Sequence, residues 1–257
     1  MKNKKNIIYT LTICYFVIAF FEVVAEYIVE KPIICTLKPV MPLILIVIYC
    51  IDSERRNLLF IFALLLSSLT NILFIPNTPT CLFYGVLVFT LHRIISIYLI
   101  FSLQKVIDYI PVIIATSPFL LIFFYLFSET VEIPQNSFCI IIAQNILISL
   151  FAGIALSSYV MNDNKRNSIL LISALLFVML QFVIFVEKYF LTNEFEELFR
   201  PMAMTLNALA FFSFYKYVVT AEESNNNGLS WCNFRCITVK IEINSTKVYS
   251  ITSNLID

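Results

Sequence analysis

Eight apolar runs dominate this chain, at residues 7–29, 33–51, 58–75, 81–103, 109–127, 138–160, 168–190 and 198–219. A bilayer's hydrocarbon core is about 30 Å thick and is crossed by about 20 mostly apolar residues in helical form, because a helix satisfies its backbone hydrogen bonds within one segment. The connections between runs are short and carry turn residues, such as Pro76-Asn77-Thr78-Pro79 and Ile133-Pro134-Gln135-Asn136. Of the 257 residues, 60% are hydrophobic and only 13% charged, which excludes an ordinary soluble domain. The expected fold is all-α, a polytopic integral membrane protein with about eight transmembrane helices over residues 1–219. A polar tail, 220–257, is expected to follow, cytoplasmic and either flexible or folded as a short ribbon.

Charge sets the expected orientation, since basic loops stay on the cytoplasmic side. Lys2, Lys4 and Lys5 precede the first run, and Arg55 and Arg56 follow the second. Lys105 follows the fourth, Lys165 and Arg166 the sixth, and Lys216 ends the eighth. The opposite loops offer Lys31, Lys188 and Arg200, and two of those loops are acidic (Glu129 and Glu132; Glu194, Glu196 and Glu197). Both termini are therefore expected in the cytoplasm, with a bacterial inner membrane as the location. A cleaved signal peptide is the weaker reading of the first run, which is long, contains Glu22 and lacks a small-residue cleavage site.

Five of the seven cysteines (14, 35, 50, 81, 139, 232, 236) lie in the apolar runs, where a thiol acts as a small apolar group. Cys232 and Cys236 have no histidine nearby, so neither a zinc site nor a disulfide framework is expected. Nucleotide-binding loops, metalloprotease helices and nucleophile elbows are lacking in the sequence, and no cofactor, metal or nucleic-acid partner is expected.

Ionisable side chains inside a membrane cost roughly 2.5–3.5 kcal/mol each and usually face a bundle interior or a polar cavity. The runs contain Glu22, Glu26, Lys38, Asn71, His92, Arg93, Gln144, Asn145, Gln181, Glu187 and Asn207. Counted at 1.5 Å per residue, Glu22, Lys38, Asn71, Gln144, Gln181 and Asn207 fall roughly 6–14 Å below the non-cytoplasmic surface, and His92 about 17 Å. Six helices thus share one polar slab, read as a cavity entered from that side. The simpler reading for Gln144, Asn145 and Asn207 is a hydrogen bond gluing neighbouring helices. Lys38 and Arg93 call for a cavity or an ion pair, with Glu22 as the expected buried partner of either. Hydroxyls nearer the cytoplasm, Thr10, Ser67, Ser96 and Ser149, can bond their own backbone.

Lys38-Pro39-Val40 in the second run, the polar pair in the third, and Gly85 and Phe89 before a basic residue in the fourth resemble the YhhN-like membrane family. That family includes the lysoplasmalogenases, eight-helix enzymes that hydrolyse a vinyl ether to a fatty aldehyde and a glycerophospho-alcohol. The resemblance covers residues 1 to about 219. It implies an aspartate in the third run, where this chain reads Leu69-Thr70-Asn71-Ile72-Leu73, and another in the seventh, where it reads Phe177-Val178-Met179-Leu180-Gln181. The family's histidine falls on Arg93, with His92 one residue early.

Those departures bear on chemistry. Vinyl-ether hydrolysis protonates a carbon and then adds water, which calls for a general acid and a charge-stabilising base. Asn71 and Gln181 cannot supply that proton, though they can orient a headgroup. Glu22 and His92, the latter the one side chain that ordinarily titrates near neutrality, are the candidate catalytic substitutes. Lys38, His92, Arg93, Gln144 and Asn207 are the candidate contacts for a membrane lipid or lysolipid. The expected function is therefore lipid binding in an intramembrane cavity by a divergent, inactive relative. An active vinyl-ether hydrolase with relocated acids is the alternative, and a small transporter the second alternative.

Overall fold

The computed structural model describes residues 2–76, 78–104, 108–130, 138–190, 195 and 197–224. The expectations for the tail, Cys232, Cys236, Lys105, Glu132, Glu194 and Glu196 fall outside them. Among the described residues eight helices appear in chain order: α1 Lys2–Ile28, α2 Lys31–Asp52, α3 Leu58–Phe74, α4 Pro79–Leu103, α5 Tyr109–Ser128, α6 Phe138–Met161, α7 Lys165–Tyr189 and α8 Glu197–Ser224. All the described regular structure is helical, and each helix coincides with one apolar run. Seven are long and apolar enough to cross a bilayer; α3, with 17 residues, is shorter. The chain is a polytopic membrane protein.

The helices alternate in direction. The proximal end carries the start of α1 and the close of α8, and the distal end carries the α1–α2 and α7–α8 turns. Burial is inverted relative to a soluble protein. Ile110, Ile113, Leu121 and Phe124 of α5 project outward, whereas Glu22, Glu26, His92, Arg93 and Gln144 are buried. Water does not drive this arrangement, so packing and interhelical hydrogen bonds decide which faces meet.

Neighbouring pairs are α1 with α2, α2 with α3, α3 with α4, α5 with α6, α6 with α7, and α4 with α6. Gly153 of α6 makes the α5 contact close: a Cβ there would overlap Thr116 Oγ1 and lie 2.8 Å from Thr116 Cα. The last helix, α8, is the hub. Its Ala208 carbonyl accepts from Tyr15 of α1 (2.9 Å), and its Ala210 carbonyl accepts from Ser173 of α7 (3.3 Å). Phe214 meets Phe60 of α3, Phe151 of α6 and Phe177 of α7, and Phe211 meets His92 of α4.

At the proximal end α8 runs five residues beyond the expected end of its apolar run, because polar contacts hold it. Buried Glu222 accepts from Tyr49 Oη (2.7 Å) and Ser53 Oγ (2.5 Å) at the end of α2. Tyr215 Oη donates to Asp52, whose carboxylate also meets Lys216 Nζ at 3.7 Å. This clasp fixes α8 against α2, and so fixes the depth at which the residues of α8 meet the polar groups of the other helices.

Candidate functional site

The polar side chains form two groups rather than one slab. At the distal end, Lys38 Nζ lies 2.7 Å from Glu26 Oε1, both largely buried. The expected partner was Glu22, and helix direction explains the difference. Helical side chains lean towards their own N-terminus, which for α2 is distal, so Lys38 reaches up past Glu22 to the last turn of α1. Glu22 is buried behind this pair, within electrostatic reach of both its members and of Tyr15. Across the bundle, Arg200 Nε lies 3.1 Å from Glu187 Oε1, closing the α7–α8 turn. Lys188 sits 5.6 Å over the Phe74 ring, within electrostatic reach of Glu187, Arg200 and Lys38. Gly85 makes room for that ring, since a Cβ there would lie 2.5 Å from Phe74 Cε1.

Asn71 is held by a backbone feature of α2. Pro42 has no N–H, so the carbonyl of Lys38, four residues earlier, loses its helical donor. Asn71 Nδ2 donates to that carbonyl at 2.9 Å. One turn away, Ser68 Oγ donates to the carbonyl of Pro39, also at 2.9 Å. The amide at 71 thus stitches α3 to the proline-opened turn that carries Lys38. An ionised aspartate could not make this bond, because it has no donor.

Mid-bundle, Arg93 is 1% exposed and enclosed by aromatic rings. Its guanidinium carbon lies 4.9 Å from the centroid of Phe89, 4.8 Å from Phe177 and 5.9 Å from Phe151. The expected ion pair with Glu22 is not formed: Glu22 belongs to the distal group, and rings surround Arg93 instead. His92 stacks on Phe89 at 5.6 Å and 6°, and meets Phe211 at 5.3 Å. Its neighbouring charge is Arg93, not Glu22. Gly85, His92 and Ser96 are all buried on one face of α4, as their spacing implies.

Gln144 follows the glue reading: its Nε2 donates to Thr90 Oγ1 (2.9 Å) and the Val86 carbonyl (3.4 Å), tying α6 to α4. Asn145 is buried one residue on. Thr10, Ser96 and Ser149 each donate to the carbonyl four residues back, as expected. Gln181 and Asn207 are half-buried between the two groups. Gln181 stands four residues from Phe177 and seven from Lys188. Asn207 stands four from Phe211 and seven from Arg200. Those spacings put each amide on the stripe of its helix that links the aromatic cage to the distal ions.

The meeting of Phe89, Phe151 and Phe177 around Arg93, and of Lys188 with Phe74, is not legible in the sequence. With 25 phenylalanines, composition cannot single out Phe151, Phe177 and Phe211; the i, i+4 spacing of Phe177 and Gln181 was the available signal. Tyr49, Ser53, Asp52 and Glu222 were also missed, because they lie at the rims of apolar runs where polar residues are ordinary.

Compared with known proteins, the chain matches the YhhN family model over residues 33–215. The chain belongs to the YhhN family. No curated protein and no solved structure matches it. The match to the YhhN family takes in Lys38, Asn71, Arg93 and Gln181, and it leaves α1 outside, with Glu22 and Glu26.

Proposed function

We propose that this YhhN-family protein binds a lysolipid-type amphiphile between its distal ionic group and the aromatic cage, and does not hydrolyse a vinyl ether. The observation that carries the reading is the commitment of Asn71. At the position where the family resemblance implies a catalytic acid, its amide holds the Lys38 carbonyl at 2.9 Å. Gln181, at the second implied acid position, likewise carries no acidic proton. The polar column between helices remains, and polar groups inside spans commonly mark binding pathways. Relocated catalysis by Glu22 with His92 is disfavoured by their separate surroundings: Glu22 sits with Glu26 and Lys38, and His92 between Phe89 and Phe211.

The basic residues Lys4, Lys5, Arg55, Arg56, Lys165, Arg166 and Lys216 gather at the proximal end, which supports a cytoplasmic proximal face. The test of function uses purified protein in neutral detergent. Incubated with lysoplasmalogen it should release no aldehyde, while native mass spectrometry should retain the single-chain lipid. Aldehyde release that disappears in Glu22→Gln would overturn the reading and identify a relocated acid.

A further inference from the structure

The buried polar atoms without a protein partner are not scattered. Among the described residues they are His92 Nδ1, Arg93 Nε and Nη2, Gln144 Oε1, Asn145 Oδ1 and Tyr217 Oη. All but the last lie on α4 and α6, which pack against each other. Arg93 is the extreme case, a guanidinium that stays charged at any physiological pH.

Ring faces surround the guanidinium and leave its hydrogen-bonding edge unused. The groups facing it are rings: Phe89 of its own helix, Phe151 of α6 and Phe177 of α7. Ring faces attract the cation but accept no ordinary hydrogen bond from Nε–H or Nη2–H. Those two nitrogens form the planar fork that matches two oxygens of a phosphate or carboxylate. Phe151 and Phe177 are fully buried, whereas Phe89 is partly exposed, so Phe89 is the wall through which a ligand can approach.

We propose that Arg93 is the receptor for one oxyanion, a phosphate or carboxylate group, held edge-on by Nε and Nη2 inside the aromatic cage with His92 Nδ1 beside it. The inference rests on the amphiphile reading for the identity of the ligand, but not for the existence of the anion site. Either orphan acceptor on the α6 stretch nearer the distal end, Gln144 Oε1 or Asn145 Oδ1, suits a hydroxyl carried on the same ligand.

The experiment compares thermal stabilisation of the full chain in neutral detergent by three probes. These are a single-chain lysophosphatidate, a monoacylglycerol of the same chain, and inorganic phosphate. The lysophosphatidate should bind at least tenfold more tightly than the monoacylglycerol, a contrast that needs no variant to fold. Arg93→Lys keeps the charge and loses the fork, and should weaken lysophosphatidate binding tenfold or more, while Lys165→Gln, at the exposed proximal start of α7, should change it less than threefold. Equal binding of the two lipids by the unmodified protein overturns the anion receptor and leaves the amphiphile reading standing. Loss in Lys188→Gln with Arg93→Lys unaffected also overturns it, moving the anion to the distal group. Saturable binding of inorganic phosphate that Arg93→Lys abolishes, with neither lipid bound, keeps the receptor and overturns the amphiphile reading.

Discussion

If Asn71 replaces the helical donor that Pro42 lacks, the two residues must be energetically coupled. Asn71→Ala leaves the Lys38 carbonyl without its 2.9 Å partner in a half-buried position. Interhelical hydrogen bonds in membranes average about 0.6 kcal/mol and reach about 1.7, so a loss of about 1 kcal/mol is expected. Pro42→Ala returns an N–H to the position four residues after Lys38, which then bonds that carbonyl within the helix. In that background Asn71→Ala should cost only about 0.3 kcal/mol, giving a coupling of roughly 0.5–1 kcal/mol, above the roughly 0.3–0.5 kcal/mol scatter of independent sites. Ser68→Ala is the control, because its acceptor, the Pro39 carbonyl, stands four residues before Leu43, which has a backbone N–H, unlike Pro42. The assay is unfolding free energy in detergent micelles titrated with sodium dodecyl sulfate, for the four members of the cycle. An additive cycle, or a stabilising Asn71→Ala, would refute the carbonyl-capping argument. Asn71→Asp, which loses the donor and adds a charge, should destabilise at least as much as Asn71→Ala.

Three further outcomes are expected. Glu26→Gln should cost about 1–3 kcal/mol, because partly buried Lys38 loses its 2.7 Å partner and keeps Glu22 as its nearby carboxylate, and adding Lys38→Met should recover most of it in the same unfolding assay. Glu222→Gln should cost about 1–3 kcal/mol, because Tyr49 and Ser53 both donate to its carboxylate and an amide offers only one oxygen; protease sensitivity near the end of α8 would rise with it. Gly153→Ala should lower stability by about 1–3 kcal/mol through its clash with Thr116, and Thr116→Ala should relieve only part of it, since the backbone contact at 2.8 Å remains.

The helices were legible because a spanning segment must be long and apolar whatever its neighbours are. The expected runs and the observed helices agree within a few residues, except at α1 and α8, where charged ends continue the helix. The glue role of Gln144 and the backbone bonds of Thr10, Ser96 and Ser149 were legible too, being local. Partner choice was not. Glu22 was preferred for Lys38 on depth counted at the Cα, and the lean of a long side chain along α2 gave the pair to Glu26. For Arg93 the sequence calls for a cavity or an ion pair, and phenylalanines from α4, α6 and α7 enclose it.

By itself the sequence determined the class of molecule, the positions of its spans and the presence of polar groups that a membrane interior tolerates only for a reason. Hydrophobic length is additive along the chain, so a single sequence carries it. The tertiary structure alone decided that α8 is the hub, that the polar slab divides into a distal ionic group and a buried cage, and that Asn71 serves a proline-opened turn. These depend on which faces of different helices meet. Where lipid is as apolar as the helix surfaces, that choice comes from packing and interhelical hydrogen bonds, which no single run encodes.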